Sequence, residues 1–313
     1  MKKLTQLFSM CAVAVAIGAG AFALVPGTSD AENKKMVVGY TNLQDTDVFT
    51  MRRKTEFSAA AKADPDVLIR FADANGDISK QLDQIDNFIA QDVDVIVVVP
   101  VDYHGIVSGV KKANKAGIPV IALGIESGGG EYTFVGSKNL DAGRLQGEFM
   151  SENLPRNAEI LYLQGEPGLY HSTERLDGFT KALAERTDVK VLGNLPGNYD
   201  RARGMKVTED WIQRFPKFDA IIAANDQMAL GALQALKAAG RKDVMISGID
   251  GTADALAAIE AGEMTQSIFQ NAKGQAQAAF EVVEMIKRGE APPKEKLVAF
   301  ESIDLRNVAN YRD

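Results

Sequence analysis

Cysteine occurs once, at Cys11, histidine twice, at His104 and His171, and tryptophan once, at Trp211. Each shortage removes a class of chemistry. One thiol makes no internal disulfide, so stability has to come from an apolar core. A transition-metal site would draw on carboxylates alone, without the imidazoles and thiolates such ions favour. A Ser-His-Asp triad would have to recruit one of the two histidines, and no G-x-S-x-G elbow presents a serine to it. There is no Walker A run and no G-x-G-x-x-G after a strand, and the "GGG" at 128–130 reads as a flexible turn. Long clusters of lysine and arginine are also missing. With a net charge of -7 the chain has no electrostatic footprint for nucleic acid or anionic lipid. The expectation is a protein without catalysis, metal or cofactor, and with no nucleic acid as partner.

What is present is a normal globular balance, 46% hydrophobic and 25% charged. The first thirty residues stand apart: Lys2 and Lys3 precede the apolar "MCAVAVAIGAGAFAL", which stops at Pro26 and Gly27. This is the pattern of a secretory signal peptide over 1–31, with cleavage expected after Ala31, where Ser29 and Ala31 supply the small residues. The run is too short for a membrane span, which needs about 20 apolar residues.

From Met36 onward, short β-branched runs alternate with amphipathic stretches. The runs are "MVVGY", "VLIRFA", "DVIVVVP", "IPVIALG", "EILYLQG", "VKVLGN", "FDAIIAA", "VMISGID" and "TQSIFQ", the near-continuous apolar pattern of strands buried on both faces. Between them, stretches such as "ISKQLDQIDNFIAQ" repeat Ile78, Leu82, Ile85 and Ile89 at helical spacing. Alternation of this kind builds parallel sheets with right-handed crossovers. The strand number exceeds one doubly wound sheet, and a short strand followed by a new helix in "TFVGSKNLDAGRLQGEF" marks a shift. The predicted fold is α/β, with two doubly wound parallel-sheet lobes and several short crossings between them. Trp211 falls on a helix face and reads as core.

In open α/β sheets ligands sit beyond the carboxyl ends of the strands, near helix N-termini. The residues there are Asp47 and Phe49, then 100–103, 124–127, 166–175 and 198–201, then Asn225 and Asp226, 250–252, and Gln270 with Asn271. Planar amides, carboxylates and an arginine can each engage adjacent hydroxyls, and aromatic rings can cover the C–H face of a sugar or polyol. Bland roles compete with this one: Asp47 and Asp226 read as helix caps, Asp250 before "GT" as a turn residue, and Phe49 as core. Of the pair "ND", Asp226 is expected to cap a helix starting near Gln227 and Asn225 to face a ligand. Arg175 is expected to bind ligand with little part in stability.

The ordered set "VVGYTN", "DVIVVVP", "NKAGIPVIALG", "RLDGF", "NYDRARG", "NDQMALGAL", "GIDGT" and "SIFQ" resembles the periplasmic sugar-binding proteins of the ribose and galactose type, over nearly the whole chain after 36. The same core occurs in repressors of the lactose-repressor family, which begin with a helix-turn-helix in place of a signal peptide. The resemblance implies two lobes joined by a hinge of three crossings, 36–138 plus 271–299 and 139–270 plus 300–313, with the ligand in the cleft between them. It also implies a monomeric receptor in the periplasm that delivers a sugar or polyol to an ABC permease, or a chemoreceptor-coupled or autoinducer-type sensor on the same frame. Carried over position by position, the ligand-binding residues are Asp47, Phe49, His171, Arg175, Tyr199, Asn225, Asp250 and Gln270. Two departures stand out. The ribose and galactose types place an Asn where Val99 stands, and the ribose type an Asp-Arg pair where Gly124 and Ile125 stand. The ligand expected is therefore neither ribose nor galactose itself, and Glu126 is the nearest polar residue to make up the loss.

Overall fold

A computed structural model describes residues 35–311. The segment read as a signal peptide, with its cleavage site after Ala31, lies outside the described residues. The chain opens with β1 (Met36–Asn42), α1 (Val48–Ala61), β2 (Val67–Asp73), α2 (Ile78–Ala90), β3 (Val95–Val98), α3 (Val107–Lys115), β4 (Val120–Leu123) and β5 (Thr133–Gly136). It continues through α4 (Asn139–Asn153), β6 (Glu159–Gln164), α5 (Tyr170–Leu183), β7 (Lys190–Pro196), α6 (Arg201–Arg214), β8 (Ala220–Ala223), α7 (Asp226–Ala238), β9 (Met245–Asp250), α8 (Ala253–Glu260) and β10 (Gln266–Phe269). It ends with α9 (Ala272–Lys287), β11 (Glu295–Leu297), β12 (Glu301–Ile303) and a 3-10 turn at Val308–Tyr311.

The strands form two sheets of six, in the orders β11-β5-β4-β3-β1-β2 and β12-β10-β9-β8-β6-β7. All pairings are parallel except β10 with β12. Parallel strands need crossovers that cover both faces of a sheet, which is why β3, β4 and β8 are apolar at every position and buried throughout. In the first sheet, Val38, Tyr40, Val97 and Ile121 pack against α1 and α9 on one face through Phe57 and Phe280. Ile96 and Val98 meet Ile85, Phe88 and Val110 of α2 and α3 on the other. In the second sheet, Leu161, Ile221 and Ile246 pack with α6, α7 and α8, with Trp211 inside this cluster at 2% exposure. Ile160, Tyr162 and Ile222 face α4 and α5.

The chain passes between the sheets three times: from Gly136 to Asn139, from Phe269 to Ala272, and from Leu297 to Glu301. The result is two α/β lobes. In both, the carboxyl ends of the strands turn toward the same cleft, and this positions the helix N-termini and their caps.

Candidate functional site

Between the lobes lies a cavity of about 450 Å³. All eight residues predicted from sequence line it: Asp47 and Phe49 from the first lobe, His171, Arg175, Tyr199, Asn225 and Asp250 from the second, and Gln270 at the second crossing. The chain brings them together because each lies at or just past the carboxyl end of a strand: Asp250 as the last residue of β9, the others on a loop or in the first turns of the following helix.

Several of them hold up the fold as well as the wall. Asp47 caps α1, its Oδ1 accepting from Thr50 N at 2.7 Å. Asn225 caps α7, its Oδ1 accepting from Met228 N at 3.0 Å, and its Nδ2 donates to the Tyr199 carbonyl at 3.3 Å. This corrects the expected division of labour. Asp226 is the first residue of the helix and not its cap; its buried carboxylate accepts from Thr252 N at 2.8 Å and from Ser267 Oγ at 2.7 Å, tying α7 to the start of α8 and to β10. The backbone N–H nearest to a cap is two or three residues ahead, so the earlier residue of the pair reaches it. Asn225 remains on the cavity wall with its amide committed on both sides.

Arg175 is only 6% exposed. Its Nε donates to Asn139 Oδ1 at 3.0 Å, Nη1 to the Ala224 carbonyl, and Nη2 to Gln270 Oε1 at 3.2 Å. The expectation that it serves the ligand alone therefore fails. Truncating it would strand three buried partners, each at about 1–3 kcal/mol, so stability and affinity fall together.

Asp250 ends β9 with φ 128, a backbone conformation that a side chain rarely adopts and that costs about 1–3 kcal/mol. The sheet and the following Gly251 hold it there, and the carboxyl is turned into the cavity at 8% exposure. Burial pushes this carboxyl well above the usual range; Arg175 and Arg53 oppose the rise, and the carboxyls of Asp226 and Asp47 add to it. Tyr199 also has positive φ, at 61, and its ring stacks on His171 with centroids 5.2 Å apart. The His171 imidazole is held neutral, pushed down to about 3 by burial and then by the charges of Arg175 and Arg53.

Among the lining residues that escaped the sequence reading are Arg53 and Asn139. Arg53 sits on α1 one turn beyond Phe49, in the charged run "RRK", which reads as a solvated face. The signal that could have found it is the four-residue spacing from Phe49, which puts both on one side of the helix. Asn139 opens α4 directly after the first crossing, a helix start next to a strand end like the others. The departures also resolve. Val99 is fully buried in the first core and does not reach the cavity, whereas Gly124 and Ile125 do. Glu126 is paired with Lys138 at 2.6 Å outside the cavity wall, so it does not make up for them.

Residues 38–291 match the family model of the periplasmic binding protein domain. The chain is 32% identical over 307 residues to a xylitol-binding protein of Mycolicibacterium smegmatis, covering 97% of this chain and 87% of the relative. It is 28% identical over 309 residues to the ribose import binding protein of Escherichia coli, covering 98% of both. Among solved structures, the ABC transporter solute binding protein of Bacillus halodurans with bound myo-inositol superposes with a TM-score of 0.85 at 32% identity, over 90% of this chain and 98% of that one.

Proposed function

This chain belongs to the periplasmic binding protein family, and we propose that within it the chain is the extracytoplasmic receptor of an ABC importer for a neutral polyol or monosaccharide. The two lobes are 36–138 plus 271–299 and 139–270 plus 300–313, the first 31 residues are removed on export to the periplasm, and the mature protein acts as a monomer. The ligand is held by Asp47, Phe49, His171, Arg175, Tyr199, Asn225, Asp250 and Gln270, and the closed form is the one presented to the permease. Relatives that bind xylitol, ribose and myo-inositol support this ligand class.

The observation that carries the reading is the mixture of charge signs around the cavity. Arg53 and Arg175 are both buried, and the carboxyls of Asp47 and Asp250 stand against them. The lining sets Arg53, Arg175 and Arg201 among Asp47, Glu166, Asp200 and Asp250, so neither an anion nor a cation meets a wall of the opposite sign alone, and burial of a net charge there would be costly. It does have amides, carboxyls and guanidiniums that fork onto adjacent hydroxyls, with Phe49 and Tyr199 as flat surfaces. Lobe closure then follows from contacts that only the closed form can complete.

The test is calorimetric titration of the chain from Glu32 onward with myo-inositol, xylitol, D-ribose and D-allose, alongside the charged glucose derivatives gluconate and glucosamine. Saturable binding of a neutral member, and none of the charged pair, is the expected result. Preference for gluconate or glucosamine would overturn the neutral-ligand reading.

A further inference from the structure

We infer that Arg53 is the first lobe's principal ligand-binding residue and that it ties the occupied cleft to the hinge; this rests on the proposed binding site. A guanidinium carries five N–H donors in a fixed fork, and a buried donor left unmet costs about 1–3 kcal/mol. Arg53 is 2% exposed, and its Nη1 donates to Gln275 Oε1 at 2.9 Å. Its Nε is buried without a hydrogen bond among the described residues, with the equally unpaired Tyr40 hydroxyl beside the guanidinium. The side chain lies in the cavity wall with its charge 5.4 Å from the centre of the Phe49 ring. A ligand hydroxyl oxygen in the cavity can accept from the Nη end of this fork, which reaches the wall that Nε lies behind.

Gly124 supports the same assignment from the opposite side of the space. It has φ +80, and a Cβ built on it would fall 1.8 Å from Arg53 Nη1. The loop after β4 contributes no polar side chain at this point because the guanidinium from α1 occupies the volume one would need. The polar contact that the sequence lacks at 124 and 125 is thus delivered from a helix.

Behind Arg53 the hydrogen bonds run into the crossings. Gln275 Nε2 donates to Ser137 Oγ at 2.8 Å, and Ser137 Oγ donates to the Val298 carbonyl at 2.6 Å. Ser137 lies on the first crossing, Gln275 in the first turn of α9 after the second, and Val298 on the third. Arg175 is anchored in the same manner from the second lobe, on Asn139 and Gln270. A ligand gripped by both guanidiniums fixes two side chains that are each bonded to hinge segments, one from either lobe.

The experiment is a double-mutant cycle read as dissociation constants for myo-inositol, xylitol and D-ribose. Arg53→Leu is expected to weaken the tightest of these probes at least tenfold. Gly124→Ala, which displaces the guanidinium and also strains a backbone at φ +80, should weaken it too, and by less in the Arg53→Leu background. Gln275→Leu, which removes the acceptor of Arg53 Nη1 together with the bond to Ser137, should lower affinity more while Arg53 is present than in the Arg53→Leu background. Native-like affinity of Arg53→Leu, or losses that multiply in the double variants, would overturn the inference. If Arg53→Leu does not fold, Arg53→Lys keeps the charge and removes Nε and the planar fork. The same tenfold loss is then expected, and native-like affinity overturns the assignment. A native chain that binds none of the three probes overturns the reading of the site, and this inference with it.

Discussion

His171 faces the cavity with its ring on Tyr199, and its imidazole stays neutral down to about pH 3 in the folded protein. In the unfolded chain the same group takes up a proton below about pH 6.5. Protons therefore bind the unfolded state first, and the stability this residue supplies is complete above pH 6.5 and lost as the pH falls from there toward 3. At pH 5 the loss reaches up to about 2 kcal/mol. Replacing His171 by Gln should flatten the acid limb: between pH 7 and pH 5 the ligand-free native protein should lose more stability in urea titrations than the variant. Parallel acid limbs would show that the imidazole is not held neutral. The site's residues were legible one by one because strand ends and helix starts can be located from apolar runs, and polar residues at those points have few other places to be. What stayed hidden was the direction of individual side chains. Asn225 and Asp226 are adjacent and chemically alike, and only the backbone geometry at the end of β8 decides which one caps α7. Arg53 was hidden for the same reason, since an arginine on a helix reads as solvated until the packing turns it inward.

At the scale of elements, the glycines in the recognisable motifs are spacers between helices. Gly178 of "RLDGF", on α5, has the Leu140 carbonyl of α4 2.1 Å from where its Cβ would be. Gly143 of α4 meets the Arg175 carbonyl at 1.9 Å in the same way. The pairing of α6 with α7 repeats the device, with Gly231 of "ALGAL" against the Arg201 carbonyl at 2.1 Å. Backbone stands on the far side in every case, so an added methyl cannot be absorbed by a rotamer change. Gly178→Ala should destabilise the protein by about 1–3 kcal/mol, the usual cost of overpacking, and should shift Arg175, one turn earlier on the same helix. Urea midpoints measure the first effect and ligand affinity the second; a variant that matches native in both would mean that the two helices have room to separate. The nine apolar runs named in the sequence all emerge as strands, β1 to β4 and β6 to β10, and the short strand before a new helix is β5. Burial on both faces writes itself into the composition of the inner strands, whereas β2 and β7 are edge strands with no fully buried residue, which corrects the expectation for those two runs. The strands β11 and β12 carry no such signal. "EKL" and "ESI" are three residues each, lie at sheet edges and alternate in no apolar pattern, and their pairing is set by where the third crossing leaves the chain.

An aromatic pair joins the two lobes outside the main cavity. Tyr103 follows β3 in the first lobe and Tyr170 opens α5 in the second, and across the cleft their rings stack 4.3 Å apart at 16°. A stacked aromatic pair contributes about 0.5–1.5 kcal/mol beyond the area it buries. Neither ring lines the main cavity, so the pair stabilises the closed arrangement without touching a ligand there. A contact made only in the closed state shifts the open-closed equilibrium by its full energy and slows escape of whatever the cleft holds. Tyr170→Ala should therefore leave the association rate nearly unchanged and speed dissociation about 2- to 12-fold, the rate equivalent of that energy. Stopped-flow displacement of bound myo-inositol or xylitol measures it, and small-angle scattering of the ligand-free variant should show a larger mean radius than native. An unchanged release rate would mean that the two rings meet too weakly to hold the lobes. A fall in association rate instead would place the stack on the route by which ligand enters.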